Sequence, residues 1–193
     1  MTTETADIIR CFGSGDALYE AYHDQEWGHE VHGDAPILER MVLEGFQSGL
    51  SWVTILRKRE NFRTALAGFD PDTLAAFTDG DVERLMADAG IVRNRRKIEA
   101  AITNARATVA LRERGGSLSD LVWAHAPDPG GAAPAGSDQV PASTPESKAL
   151  TRALKAEGFV FVGPTTMYAL MQAVGIVNDH ITGCVARTTP EVS

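Results

Sequence analysis

The chain has 193 residues, 44% of them hydrophobic and 23% charged, enough for a globular protein with a core of its own. No run approaches 18 apolar residues, and Met1–Arg10 lacks an apolar signal core. The pattern therefore argues against a membrane span and against secretion, and for a cytoplasmic protein. The formal net charge of −8 argues against a broadly basic nucleic-acid binder, but phosphate binding needs only a local basic surface.

The spacing of apolar residues predicts an all-α fold in one domain spanning 1–193, with loose ends at 1–9 and 185–193. Leu18, Tyr19 and Tyr22 predict a short helix over 16–26. Ile37, Leu38, Met41, Val42, Gly45 and Phe46 follow helical spacing, with Pro36 in the first turn. Trp52, Val53, Ile55 and Leu56 begin a third helix that runs into a basic window at 57–63. Asp70-Pro71 caps and opens a helix through Phe77, and Thr78 or Asp79 caps the next, which Gly90 stops. A long helix follows from about Asn94 to Glu113 and ends at Gly115-Gly116. Residues 127–145 hold five of the nine prolines and read as a loop or linker too polar to pack. Ser143-Thr144-Pro145-Glu146 restarts a helix with a capping signal, carried on by Leu150, Leu154 and Phe159. Thr165–Val177 is the last helical stretch.

Cys11, His23, His180 and Cys184 form a possible metal set. His180 and Cys184 are four apart and would face one way on a helical turn. A Cys₂His₂ set is the chemistry that structural zinc prefers. Spacing alone leaves a second option open: two buried thiols and two surface histidines. If zinc binds, it ties the two ends of the chain together and its binding energy is folding energy.

Tyr19, Tyr22, Trp27 and Trp52 are four of the six Tyr and Trp residues. They are either core or the walls of a pocket that stacks on a flat base. Glu44 falls on the apolar stripe of its helix, where a carboxylate is costly unless paired. It either reaches water at the stripe edge or faces a pocket that takes a cation or an N–H donor. The segment Leu85–Ile98 reads as helix, tight turn at Gly90, and basic helix start with Arg93, Arg95, Arg96 and Lys97. Such a turn is a plain helix pair or a phosphate cradle.

Together these segments resemble the 3-methyladenine DNA glycosylase I family over about residues 10–184. The resemblance is carried by Tyr22-His23-Asp24-Gln25-Glu26-Trp27-Gly28, by Leu43-Glu44-Gly45-Phe46-Gln47-Ser48-Gly49-Leu50-Ser51-Trp52, by the 89–98 turn, and by Val177-Asn178-Asp179-His180-Ile181-Thr182-Gly183-Cys184. It implies a helix-hairpin-helix glycosylase fold whose N- and C-terminal segments are joined by one structural zinc on Cys11, His23, His180 and Cys184. It implies a base pocket of Tyr22, Glu44 and Trp52, with Tyr19 and Trp27 behind them and Glu44 as the catalytic carboxylate. Gly49 and Leu50 would lie at the pocket mouth. Gly90, Arg93, Arg95 and Lys97 would hold DNA phosphates. The implied partner is alkylated double-stranded DNA, acted on by a monomer. The segment after Cys11 departs from the family: it lacks the usual tryptophan and is one residue shorter, with Phe12 in that place. Asp24 and Asp179, each beside a zinc ligand, read as supporting or capping residues. No lysine stands out as a Schiff-base nucleophile, so the expected enzyme cuts the glycosidic bond without cutting the strand.

Two other classes remain open on sequence. A non-catalytic, zinc-pinned DNA-binding protein would keep the fold without Glu44, Tyr22 and Trp52 acting together. A zinc hydrolase or deaminase would need an open metal position, whereas four ligands suggest a closed one, and the His-x-Glu with Cys-x-x-Cys signature is absent.

Overall fold

A computed structural model describes residues 8–128 and 131–187, and the described residues form α-helices and short 3-10 turns with no strand. The helices are α1 (Ala17–Gln25), α2 (Asp34–Gln47), α3 (Trp52–Ala65), α4 (Pro71–Ala75), α5 (Asp79–Ala87), α6 (Arg95–Glu113), α7 (Leu118–Trp123), α8 (Pro145–Ala156) and α9 (Pro164–Ala173). No helix among them is long and apolar enough to cross a membrane.

Helix α2 is the hub. Ile37, Leu38, Met41, Val42, Leu43 and Phe46 are all buried, so the helix is apolar nearly all round and packs against α3, α6, α7 and α9. Each such side chain contributes about 1.5–3 kcal/mol by leaving water. Glu44 is carried into this interior by the same helix and is itself buried.

Several helix starts follow from their caps. Asp16 accepts the Leu18 and Tyr19 amides at the start of α1. Asp70 accepts the Thr73 amide before Pro71, and Asn94 accepts that of Lys97. Each satisfies an amide that the helix cannot. The α8 cap is Thr144, within the expected capping segment, and it pairs reciprocally with Ser147.

Helix ends differ from expectation where glycine or a turn intervenes. The helix expected through Phe77 stops at Ala75. The one expected to carry Phe159 stops at Ala156, with Gly158 left-handed at φ +91° just beyond. The last helix stops at Ala173 rather than Val177, two residues before Gly175. At Gly175, with φ +78°, a Cβ would come within 2.5 Å of the His29 carbonyl carbon. The glycine therefore lets the end of α9 run against the 28–31 strand of chain, where Gly28 and Val31 donate to the carbonyls of Gln172 and Val174. That seam brings the C-terminal segment onto α1.

Helix α7 was not foreseen. Ser117 caps it, and Asp34 at the start of α2 accepts both the Ser117 hydroxyl and the Ser119 amide. The 127–145 segment, expected not to pack, is tied down in its described part: the Thr182 amide donates to the Pro134 carbonyl at 2.9 Å. Of the loose ends expected at 1–9 and 185–193, residues 1–7 and 188–193 lie outside the described residues. Among the described ones the two ends meet: the Val185 amide donates to the Ile9 carbonyl at 3.0 Å.

Candidate functional site

Cys11, His23, His180 and Cys184 converge from the two ends of the chain, with their four ligand atoms within 4.8 Å of one another. The expectation that a helical turn aligns His180 with Cys184 is wrong, because no helix spans 177–187. A tight turn closed by the Cys184 amide on the Ile181 carbonyl does it instead. Cys184 Sγ lies 3.3 Å from His23 Nε2 and 3.4 Å from His180 Nδ1, and Cys11 Sγ lies 3.6 Å from His180 Nδ1.

The far side of each imidazole is fixed as well. His23 Nδ1 is 2.7 Å from Asp24, whose carboxylate also takes Arg10. Arg10 and His23 together hold that carboxyl down to about 2. His180 Nε2 faces the Trp27 carbonyl at 3.1 Å. Gly28 stands beside this imidazole, and a Cβ there would meet Nε2 at 3.0 Å. Burial pushes the Cys11 thiol up to about 11. The four side chains offer a donor set that could hold a metal ion.

Against the metal cluster lies a cavity of about 280 Å³. Tyr19, Tyr22 and Trp27 line it from α1 and the turn after it, Glu44 and Gln47 from α2, and Trp52 from the start of α3. Tyr22 and Trp52 are tilted against each other at 5.3 Å between ring centroids. Phe12 also lines the wall. It stacks on Tyr19 at 4.9 Å and meets Trp27 edge-on at 4.8 Å.

Glu44 accepts no hydrogen bond from any described residue, and burial alone pushes its carboxyl up to about 8. The Trp52 indole N–H is buried without an acceptor among the described residues, at a cost of about 1–3 kcal/mol. Polar atoms left unpaired against a cavity are typical of sites that reserve them for a ligand.

Three wall residues, Asp179, Ser137 and Val140, were not read as such from the sequence. Asp179 was expected to support its neighbouring metal ligand or to act as a cap. Only Asp24 supports a ligand. Asp179 lines the cavity, with one carboxylate oxygen taking the Tyr168 hydroxyl at 2.6 Å and the Gln172 amide at 2.7 Å. The 137–140 turn contributes Ser137 and Val140 to the wall, although its composition suggested a free linker.

Gly49 and Leu50 lie in the loop between Gln47 and Trp52, both of which line the cavity; Gly49 is left-handed at φ +85° and Leu50 is 42% exposed.

The domain model described as methyladenine glycosylase matches residues 12–188. The chain belongs to that family. Among its relatives, DNA-3-methyladenine glycosylase 1 of Escherichia coli strain K12 is 48% identical over 174 residues, covering 89% of this chain and 92% of that one. DNA-3-methyladenine glycosylase of Haemophilus influenzae is 42% identical, covering 93% and 98%. Two crystal structures of 3-methyladenine DNA glycosylase I superpose closely. One has a TM-score of 0.90 at 49% identity, covering 93% of this chain and all of the other. The second, from Staphylococcus aureus and concerned with recognition of 3-methyladenine, has a TM-score of 0.88 at 30% identity, covering 94% and 97%.

Within this methyladenine glycosylase the basic windows are largely committed internally. Arg59 pairs with Glu26, and Arg63 with Glu39 and Glu60. The Lys58 ammonium holds the carbonyls of Ala89 and Gly90, and the Gly90 amide donates to Asp88. Arg95 pairs with Glu83. Lys97 donates to the carbonyls of Phe46 and Ser48. Among the described residues, Arg93 and Arg96 make no ion pair.

Proposed function

We propose that this cavity receives a 3-methyladenine extruded from alkylated double-stranded DNA, and that the chain hydrolyses its bond to the sugar as a base-excision repair glycosylase. The observation that carries the assignment of roles is the buried, unpartnered Glu44 facing an aromatic-walled cavity. The methyladenine glycosylase relatives supply the chemistry.

A base inside a duplex must be extruded before any group can reach it. The aromatic faces of Tyr22 and Trp52 would hold the flat ring. A purine methylated at N3 is cationic in the nucleoside, so a cation–π gain of roughly 1–2 kcal/mol is available in a desolvated pocket. Normal adenine is neutral and forgoes it. Glu44 sits protonated at neutral pH in the empty cavity. A cationic base would favour its ionised form, which then accepts hydrogen bonds from the base edge and offsets the ring's charge. The methylated base leaves neutral, so no strong general acid is required, and water takes its place on the sugar. Among the described residues no lysine lines the cavity, in keeping with a monofunctional enzyme.

The four-residue cluster would hold one structural zinc. Tetrahedral zinc bonds to sulfur and nitrogen imply N···S edges of about 3.5 Å; three of the six edges, at 3.3, 3.4 and 3.6 Å, lie near that, and the whole set spans up to 4.8 Å, so binding would draw the donors together. Four protein donors leave no open position for catalysis, so zinc would supply stability by pinning 8–11 to 180–187.

The helix-hairpin-helix reading belongs here too, with the α5–α6 turn as its expected site. Arg93, Arg95 and Lys97 with Gly90 are the expected phosphate contacts, and of these Arg93 is free to make one. Gly49 and Leu50 would occupy the rim near the gap left by the flipped nucleotide.

The test is release of free base from methylated duplex DNA, resolved by chromatography, by wild type and Glu44→Gln. Release of 3-methyladenine by the wild type with a loss of about 100-fold or more in the variant is expected for a transition-state hydrogen-bonding group. A folded, metal-loaded wild type that releases nothing refutes the assignment.

A further inference from the structure

Phe161 combines three features that packing alone does not require. Its backbone is left-handed, at φ +56°, a conformation that bulky residues avoid. Its side chain is 43% exposed, and the neighbouring Val160 is 39% exposed. The strain is also actively held. Asn104 on α6, itself buried, clamps both backbone groups of Val160: its amide donates to the Val160 carbonyl at 3.1 Å and its oxygen accepts the Val160 amide at 2.8 Å. A chain that only had to turn from α8 into α9 could use glycine here, as it does at Gly158. Ala67 and Phe69 share this backbone region, but Phe69 is buried in the core; Phe161 instead presents its ring to solvent, and an outlier of that kind motivates a functional hypothesis.

The position of Phe161 indicates what it meets. It borders a shallow cleft between α2 and α6, whose other walls include Phe46, Ala100 and Ala101 and whose one charged side chain is Lys97. Lys97 in turn grips the Phe46 and Ser48 carbonyls, where the chain leaves α2 for the exposed loop of Gly49 and Leu50 at the cavity rim. The aromatic edge, the cation and the rim loop are thus contiguous. The face therefore offers an exposed aromatic edge beside the cavity rim, with its cation already spent on backbone carbonyls. A duplex whose lesion enters the cavity would bring its deoxyribose edges, which are apolar, to this ring.

We propose that Phe161 is a DNA-binding residue, packing its ring against deoxyribose of the duplex while the lesion occupies the cavity. This rests on the glycosylase reading. The contact is apolar and so displaces no counterions.

The test uses Phe161→Gly and Phe161→Ala with a duplex carrying a single tetrahydrofuran abasic analogue, in a salt titration, beside free 3-methyladenine binding and thermal melting. Both variants are expected to bind the duplex about tenfold more weakly, with an unchanged slope of log Kd against log salt. Both should bind free 3-methyladenine as the wild type does. Phe161→Gly should melt above Phe161→Ala, because glycine accepts the left-handed backbone and alanine does not. Phe161→Leu should retain part of the affinity. Wild-type duplex affinity in both variants overturns the proposal and leaves the glycosylase reading intact, as does a loss that flattens the salt slope. A wild type that neither binds the duplex nor releases 3-methyladenine overturns both.

Discussion

Lys97 donates its ammonium to the carbonyl oxygen of Ser48 at 2.6 Å. The same ammonium reaches the Phe46 carbonyl at 2.9 Å, so a cation from the first turn of α6 closes the C-terminal end of α2. That end carries the negative pole of the helix and carbonyls with no partner within it. The residue therefore holds the loop of Gly49 and Leu50 in place at the cavity rim. Arg93, four residues earlier in the sequence, makes no ion pair among the described residues and is free for phosphate.

The two cations should separate in experiment. Lys97→Met is expected to lose about 1–2 kcal/mol of stability, the scale of charge-assisted hydrogen bonds at a partly exposed site, and to lower kcat/KM. Its salt slope for duplex binding should match the wild type. Arg93→Ala is expected to keep wild-type stability while the slope falls by about 0.9, the signature of one lost phosphate contact. Unfolding in urea and binding titrations from low to high salt measure both. Identical slopes for Arg93→Ala and wild type would remove Arg93 from the DNA interface.

Asp24 is expected to tune the metal site. Its carboxylate fixes His23 Nδ1 and is itself gripped by Arg10, which orients the imidazole toward Cys184. Asp24→Asn should weaken zinc affinity by roughly 10–100-fold, as loss of such support does elsewhere. The readout is competition with a chromogenic chelator. The metal-loaded variant should still release 3-methyladenine, since the cluster holds the fold rather than the substrate. Unchanged zinc affinity would mean that Asp24 serves Arg10 alone.

Much of this was legible in the chain itself. The α6 start at Arg95 and its end at Glu113 follow from an Asn94 cap and a Gly115-Gly116 stop, both local signals. Glu44 was legible because a carboxylate on an apolar stripe is a contradiction that burial must resolve. The hidden features depend on distant partners. Lys97 looks like any solvated cation until a carbonyl 49 residues away receives it. Asp179 sits next to a metal ligand, yet its partners are Tyr168 and Gln172 on α9. Only the fold makes it a cavity wall. Helix α7 did leave a signal, Ser117 with Asp120 three residues on, but six residues are too few for periodicity to register. The proline-rich segment packs through the Pro134 carbonyl and Val140, and composition is blind to a backbone acceptor.

Phe12 is expected to do the work of a larger ring in the wall. It stacks on Tyr19 and meets Trp27 and His23 edge-on, and aromatic pairs are worth about 0.5–1.5 kcal/mol each beyond area. Phe12→Ala should therefore lower the melting temperature and weaken binding of free 3-methyladenine several-fold, both measurable by calorimetry. Phe12→Leu should recover stability more than base binding, because it restores volume without a ring face. Equal recovery of both would reduce Phe12 to a filler.

Glu44 should make the protein's stability fall as pH rises. Its carboxyl is raised by burial from 4.5 to about 8. Between those values the folded state keeps a proton that the unfolded chain releases. The sign follows directly: where the native state binds more protons, stability declines with increasing pH. The stabilisation is complete below 4.5 and is lost as pH climbs through about 8, by up to on the order of 5 kcal/mol for a fully buried carboxyl. Glu44→Gln keeps the shape and cannot ionise. It should unfold in urea at nearly the wild-type midpoint at pH 5 and at a distinctly higher one at pH 9, while releasing far less 3-methyladenine at either. Such a trade of activity for stability is expected where a buried charge is kept for its substrate. If the two midpoints run parallel from pH 5 to 9, the Glu44 carboxylate has found a partner in solution and is not held in reserve for the base.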